Sequence, residues 1–116
     1  MGTVKQGWNG RFFEDFSVGD VYRSRLGRTI TETDNIQFTM ITNNTNQIHF
    51  NAHYASRTEF KKPLVNSALT LAVIAGLGVS DLSENGFALG WDYIKLPHQV
   101  FPGDTLYSES EVISVR

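Results

Sequence analysis

With 116 residues the chain has the length of one domain, typically about 100 to 150 residues, and a second folded unit within it is not expected. A hydrophobic share of 41% against 19% charged excludes the composition of a disordered chain and predicts a packed core. The formal net charge of -2, with no cluster of Lys and Arg, argues against nucleic acid as a partner, and a Cys count of zero excludes disulfides, thiolate zinc sites and a cysteine nucleophile.

Residues 1–10 are Gly-rich and polar and lack the apolar centre of a signal peptide, so export is not expected and a cytoplasmic location is. Turn chemistry follows at Ser17-Val18-Gly19-Asp20, where Gly tolerates positive φ and Asp can bond the backbone two residues on. Residues 21–30, with Tyr22, Leu26 and Ile30 among Arg and Ser, read as a half-buried strand. Thr31 or Thr33 offers a helix N-cap, and Glu32 and Asp34 place negative charge where first-turn N–H groups favour it. The helix predicted over residues 34–42 has Ile36, Phe38, Met40 and Ile41 as its inner face, and Asn43-Asn44 as its stop.

An irregular loop leads to His49, and residues 52–58 have modest helical character with Tyr54 and Ala55 facing inward. Pro63 forces extended backbone on Lys62, and Asn66 or Ser67 caps the next helix. That helix is apolar nearly all round from Ala68 to Ala75, the pattern of an element enclosed on every side. The apolar stretch over residues 68–79 is interrupted by Thr70, Gly76 and Gly78 and falls short of the roughly 20 residues a membrane span requires, so no membrane partner is expected. Strands are predicted over residues 86–96, carrying Phe87, Leu89, Trp91 and Tyr93, and over residues 105–115 after a Phe101-Pro102-Gly103-Asp104 turn. A sheet curled round one apolar helix fits this order, an α+β class. The last strand stops at Arg116 without a turn, so C-terminal strands are expected to be missing from the sheet, with its open edge paired to a partner or prone to aggregate.

The informative segment is Phe38 to Ala55, with Asn44, Asn46, Ile48, His49 and Ala55 in register. It resembles the MaoC-like hydratases, which carry an aromatic residue, then Gly-Asp-x-Asn-Pro-Ile/Leu-His, then a small residue six positions after the His. His49 matches the family's catalytic His, Asn46 its Asn, Ile48 the aliphatic position and Ala55 the small residue. Phe60 with Pro63-Leu64-Val65 resembles its Phe-x-x-Pro-Ile-Val. The opening Phe13-Glu14-Asp15-Phe16-x-Val18-Gly19 and the later Val100-Phe101-Pro102-Gly103-Asp104-Thr105-Leu106 extend the likeness over nearly the whole chain.

Four positions depart from the family pattern. Asn44 stands at the catalytic Asp, where it cannot take a proton but can orient a water; members related to mesaconyl-CoA hydratases and beta-methylmalyl-CoA dehydratases resemble this chain there, which points to a branched or dicarboxylic acyl group. Asn43 replaces a Gly and still tolerates a left-handed turn, and Gln47 replaces a Pro. Asn66-Ser67 stands where His-Gly is common, and the functional feature there is a backbone N–H, which Ser67 retains.

The resemblance implies a hot-dog fold, a curved antiparallel sheet wrapped round the helix over residues 66–78, and hydration or dehydration of an enoyl-CoA/3-hydroxyacyl-CoA pair. The chemistry needs a base to activate water and a donor at the carbonyl oxygen where charge develops. His49 is the expected base, since an imidazole with an ordinary pKa of about 6.5 is partly neutral at physiological pH. Ser67 as first residue of its helix would offer an N–H without an intrahelical acceptor, backed by the positive end of the helix dipole. The expected catalytic set is therefore His49, Asn44 and Ser67, with Asn46, Asn66 and Phe50 binding substrate. No cofactor is expected beyond coenzyme A as part of the substrate, and the expected partners are an acyl-CoA and a second copy, in a homodimer or higher homo-oligomer.

Plainer readings stand beside these. Asn44 and Asn46 fit simple helix-terminal and turn roles, and Lys61-Lys62 with Arg57 fit a solvated face as well as coenzyme A phosphates. His53 lies four residues from His49, as a metal pair on a helix would, but no further ligand set accompanies it, so no metal is expected. Gly76 and Gly78 lack the Lys-Ser/Thr of a phosphate loop and read as helix terminators. Rival functions are a hot-dog acyl-CoA thioesterase, for which Ser67 speaks, and a non-catalytic acyl-CoA-binding subunit, for which Asn44 speaks.

Overall fold

The computed structural model describes the whole chain, Met1–Arg116. Strands β1 (Val21–Arg23) and β2 (Arg28–Thr29) precede helix α1 (Glu32–Ile41), a 3₁₀ turn at Gln47–His49 and the short helix α2 (Ala52–Ser56). Helix α3 (Ser67–Leu77) runs into α4 (Val79–Leu82), and β3 (Thr105–Leu106) and β4 (Glu109–Glu111) close the order. Pairing is antiparallel, β1 with β4 and β2 with β3.

The strand predicted over residues 21–30 is thus broken in two. Tyr22 pairs with Ser110 and Arg28 with Leu106, so residues 24–27 stand opposite only Tyr107 and Ser108. The surplus residues form a bulge, in which Ser108 donates its N–H to the Ser24 hydroxyl at 2.9 Å. Gly27 lies against the Tyr107 ring there, so closely that a Cβ on it would come within 2.5 Å of Cζ.

Local chemistry sets the helix ends. Thr31 and Asp34 form a capping box: the Asp34 N–H donates to Oγ1 of Thr31 at 3.0 Å, and the Thr31 N–H donates to Oδ2 of Asp34 at 2.8 Å. At the far end Asn43 takes a φ of 56°. The N–H groups of Asn43 and Asn44 then donate to the carbonyls of Met40 and Thr39 at 3.1 and 3.0 Å, a Schellman closure. The inner face of α1 differs from the sequence expectation. Asn35 and Thr39, one turn apart, are its buried residues, while Ile36, Met40 and Ile41 are exposed and Phe38 is half-buried. The polar pair faces inward because backbone groups of His49, Leu64 and Asn66 converge on Asn35 and the Asn66 side chain bonds Thr39.

The core consists of Ile30, Val65 and Leu69, with Phe38, Val73, Val100 and Leu106 packed against it. Helix α3 is capped by Asn66 as expected, but it is not enclosed: Leu69 is buried, Ala68 and Ala72 are exposed, and Val73 and Ile74 are half-buried. Residues 86–96, predicted as a strand, are a second departure. They form none, and residues 87–99 donate no backbone hydrogen bond, because no neighbouring strand offers a ladder. Phe87, Leu89 and Tyr93 are 84%, 92% and 93% exposed in consequence. The Phe101–Asp104 turn forms as expected, with φ at Gly103 of 99° and the Asp104 N–H donating to Phe101 at 3.0 Å. No helix is long and apolar enough to cross a membrane.

Candidate active site

A relay of asparagines carries the chain from the end of α1 to His49. Oδ1 of Asn44 accepts the Asn46 N–H at 2.9 Å, and Oδ1 of Asn46 accepts the Ile48 N–H at 3.2 Å, which starts the 3₁₀ turn. Asn51 then caps α2 by accepting the Tyr54 N–H at 3.0 Å and donates from Nδ2 to Oε1 of Gln47 at 2.7 Å. Side chains of this kind compete well with regular backbone bonding, and here they define a tight loop. Asn44 is half-buried and Asn46 exposed, and both side-chain oxygens serve the turn.

His49 is buried at the end of this turn. Its Nδ1 lies 2.7 Å from the Leu64 carbonyl oxygen. A carbonyl only accepts, so Nδ1 carries the proton, and in the neutral ring the lone pair belongs to Nε2. The Leu64 N–H in turn donates to the Ile48 carbonyl at 3.0 Å, which fastens the two segments to each other. With Phe50, Ala52, Glu32, Asn35, Ile36, Pro63 and Pro102, His49 lines a cleft of about 60 Å³.

Asn35, which the sequence reading did not single out, joins this loop to α3. Its Nδ2 donates to the carbonyls of His49 and Leu64, both at 2.9 Å, and its Oδ1 accepts the Asn66 N–H at 2.8 Å. The available signal was the i, i+4 spacing of Asn35 and Thr39, two polar residues on one stripe between apolar ones.

Asn66 is buried, with Nδ2 donating to Thr39 Oγ1 at 3.3 Å and Oδ1 accepting the Ala68 N–H at 3.0 Å. Both ends of its side chain are therefore engaged within the fold. Ser67 is exposed as the first residue of α3, where its N–H has no intrahelical acceptor. It lines a second cleft, of about 170 Å³, with Leu64, Val65, Thr70, His98 and Val100 among its walls. Thus His49 and Phe50 share one cleft, Ser67 opens on the neighbouring one beyond Leu64, and Asn44 and Asn46 line neither.

Charge at the entrance to α1 is tightly held. The Arg28 guanidinium grips Asp34 through two bonds of 2.9 and 2.8 Å. With help from the Thr31 N–H it holds the Asp34 carboxyl well below its usual range, at about 2. His53 is exposed on α2, and no three His, Cys, Asp or Glu side chains converge as a metal site would require. Lys62 lies 4.5 Å above the Phe101 ring, a cation–π contact on the surface.

Comparison with known proteins adds three kinds of likeness. Residues 15–116 match the family model described as MaoC like domain. A beta-methylmalyl-CoA dehydratase of Chloroflexus aurantiacus is 32% identical over 108 residues, 92% of this chain and 31% of that protein. A mesaconyl-CoA hydratase of Cereibacter sphaeroides is 28% identical over 108 residues, 92% of this chain and 32% of that protein. The chain thus spans about a third of the length of these curated relatives. Among solved structures, the MaoC-like dehydratase from Rhodospirillum rubrum superposes with a TM-score of 0.79 at 24% identity, covering 90% of this chain and 72% of that one. The fold is accordingly the α+β hot-dog.

Proposed function

Because the chain belongs to the MaoC-like domain family, we propose that it catalyses the addition of water to, or its removal from, a coenzyme A thioester, as a hydro-lyase. The observation that carries the reading is the His49–Leu64 bond, which commits Nδ1 to the backbone and leaves Nε2 as the basic nitrogen of a buried ring beside a cleft. In this reading Nε2 takes a proton from water as the oxygen adds to C3 of the enoyl group. The Ser67 N–H donates to the thioester oxygen as the enolate forms, and the imidazolium returns the proton at C2. Such a general base accelerates by about 10²- to 10⁴-fold, and an oxyanion donor contributes about 2.7 to 4 kcal/mol. Asn44 lines neither cleft and commits its Oδ1 to the turn, so in this reading it shapes the loop that presents His49 and does not touch the water.

For the acyl group we propose a branched or dicarboxylic enoyl thioester of the mesaconyl type, supported by the names of the two curated relatives and by Asn44 in place of an Asp. Coenzyme A enters only as part of the substrate, and the steps call on no metal or redox cofactor. We also propose a homodimer or higher homo-oligomer, supported by exposed Phe87, Leu89 and Tyr93 on a segment with free backbone groups. Sedimentation of an active but strictly monomeric protein would contradict it.

The test of the activity is incubation with a panel of enoyl thioesters, mesaconyl-CoA and straight-chain enoyl-CoAs included, following loss of the conjugated chromophore. Hydration without release of thiol is expected. Free thiol would mean hydrolysis, and binding without turnover would mean a non-catalytic acyl-CoA-binding domain.

A further inference from the structure

We propose that Asn35 is a positioning residue that fixes the ring of His49 and its distance from the start of α3, an inference that rests on His49 being the base. Asn35 is fully buried, and its carboxamide is the meeting point of three segments. One face of the fork donates to the carbonyl of His49 itself and the other to the carbonyl of Leu64. The Leu64 oxygen is the same atom that accepts from Nδ1 of His49, at 2.7 Å. Asn35 therefore holds both the backbone that carries the imidazole and the acceptor that orients it.

The third bond reaches the other half of the proposed chemistry. Oδ1 of Asn35 accepts the N–H of Asn66, the residue that caps α3 and precedes Ser67. One planar group thus spans the base and the backbone donor, which open on neighbouring clefts. Only a primary amide on this short stem supplies two donors and an acceptor in one plane. Asp has the shape and no donor while ionised, Leu has the shape and no polar atom, and Gln is a methylene too long. Because the group is shielded from water, a missing bond leaves a carbonyl or N–H without a substitute partner. A displacement of about 1 Å at a reacting group costs on the order of a hundredfold in rate.

The experiment uses the full chain with ¹⁵N-labelled histidine, comparing wild type, Asn35→Asp and a control, Ser24→Ala, which removes a half-buried contact in the strand bulge at a residue that lines neither the His49 nor the Ser67 cleft. Imidazole nitrogen shifts report the tautomer without any substrate. The wild-type ring is expected to hold a single Nδ1–H form. Asn35→Asp is expected to mix tautomers and to lose about tenfold to a hundredfold in kcat with KM little changed, whereas Ser24→Ala loses stability alone. If Asn35→Asp does not fold, Asn35→Ser, which keeps one donor, is read by the same criteria. A folded variant with the wild-type tautomer and kcat would overturn the proposal. A wild type with the fixed tautomer but no hydration of any thioester would remove the functional reading instead, so the two failures are distinguishable.

Discussion

Nδ1 of His49 donates to the Leu64 carbonyl across 2.7 Å, tying the ring to a residue that lies fifteen positions further along the chain. That bond decides which substitution isolates the chemistry. In His49→Asn the side-chain N–H group can take the place of Nδ1–H and keep the bond, while the basic Nε2 is deleted. His49→Gln reaches past it. Both should lose about 10²- to 10⁴-fold in turnover, but His49→Asn should keep the wild-type urea midpoint more closely, since His49→Gln forfeits one hydrogen bond to the Leu64 carbonyl, about 0.5 to 1.5 kcal/mol, and leaves that oxygen paired with Asn35 alone. Near-normal turnover by folded His49→Asn would exclude His49 as the base.

Acid stability should depend on Asp34. Its carboxyl is held at about 2, against an ordinary 3.8, by the Arg28 guanidinium and then the Thr31 N–H. A depressed pKa in the folded state means that the ionised form favours folding. The contribution is complete above about pH 4 and is lost as pH falls toward about 2. Urea midpoints of wild type and Asp34→Asn should therefore differ at neutral pH and converge in that window. A constant gap from pH 5 to pH 2 would show that the carboxylate is not what matters.

The features legible in the sequence were those written within a few residues. Thr31 with Asp34, Asn66 ahead of an apolar run, Asn43 as a stop and Pro102-Gly103 in a turn each act through side-chain or backbone bonds of short reach. The resemblance around His49 located the candidate base, but its hydrogen-bond partner lay in another segment. Asn35 was hidden for the same reason, since its three partners belong to His49, Leu64 and Asn66. Period-two alternation at Phe87, Leu89, Trp91 and Tyr93 is real, yet alternation describes a strand's faces and not its neighbours, and no ladder forms there. The break in the first strand depends on Tyr107 and Ser108 across the sheet, which local propensity does not register.

The Phe101–Asp104 turn should be needed for stability more than for chemistry. Gly103 has a φ of 99° and open space where a Cβ would sit. Gly103→Ala should therefore suffer backbone strain alone, about 1 to 2 kcal/mol, read as a lower urea midpoint at unchanged slope. Pro102 of this turn lines the His49 cleft, so a small rise in KM is the expected functional trace. An unchanged midpoint would mean that the turn relaxes to another type.

Ser67 offers a clean separation of helix structure from catalysis, because the proposed donor is a backbone N–H that proline lacks. The first helical position is where proline is best tolerated, since that N–H has no acceptor in the helix and the ring's φ suits it. The preceding residue must then be extended, and Asn66 already has φ -58° and ψ 126°. Ser67 is exposed, which leaves room for the ring. Ser67→Pro should accordingly fold with wild-type or slightly higher stability, by about 0.4 to 1 kcal/mol. Turnover of an enoyl thioester should nevertheless fall about 10²- to 10³-fold. Ser67→Ala, which keeps the N–H and removes only the hydroxyl, should stay near wild type, whereas a thioesterase using the Ser67 hydroxyl would reverse that order. Equal turnover in all three proteins would place the oxyanion donor somewhere other than the start of α3.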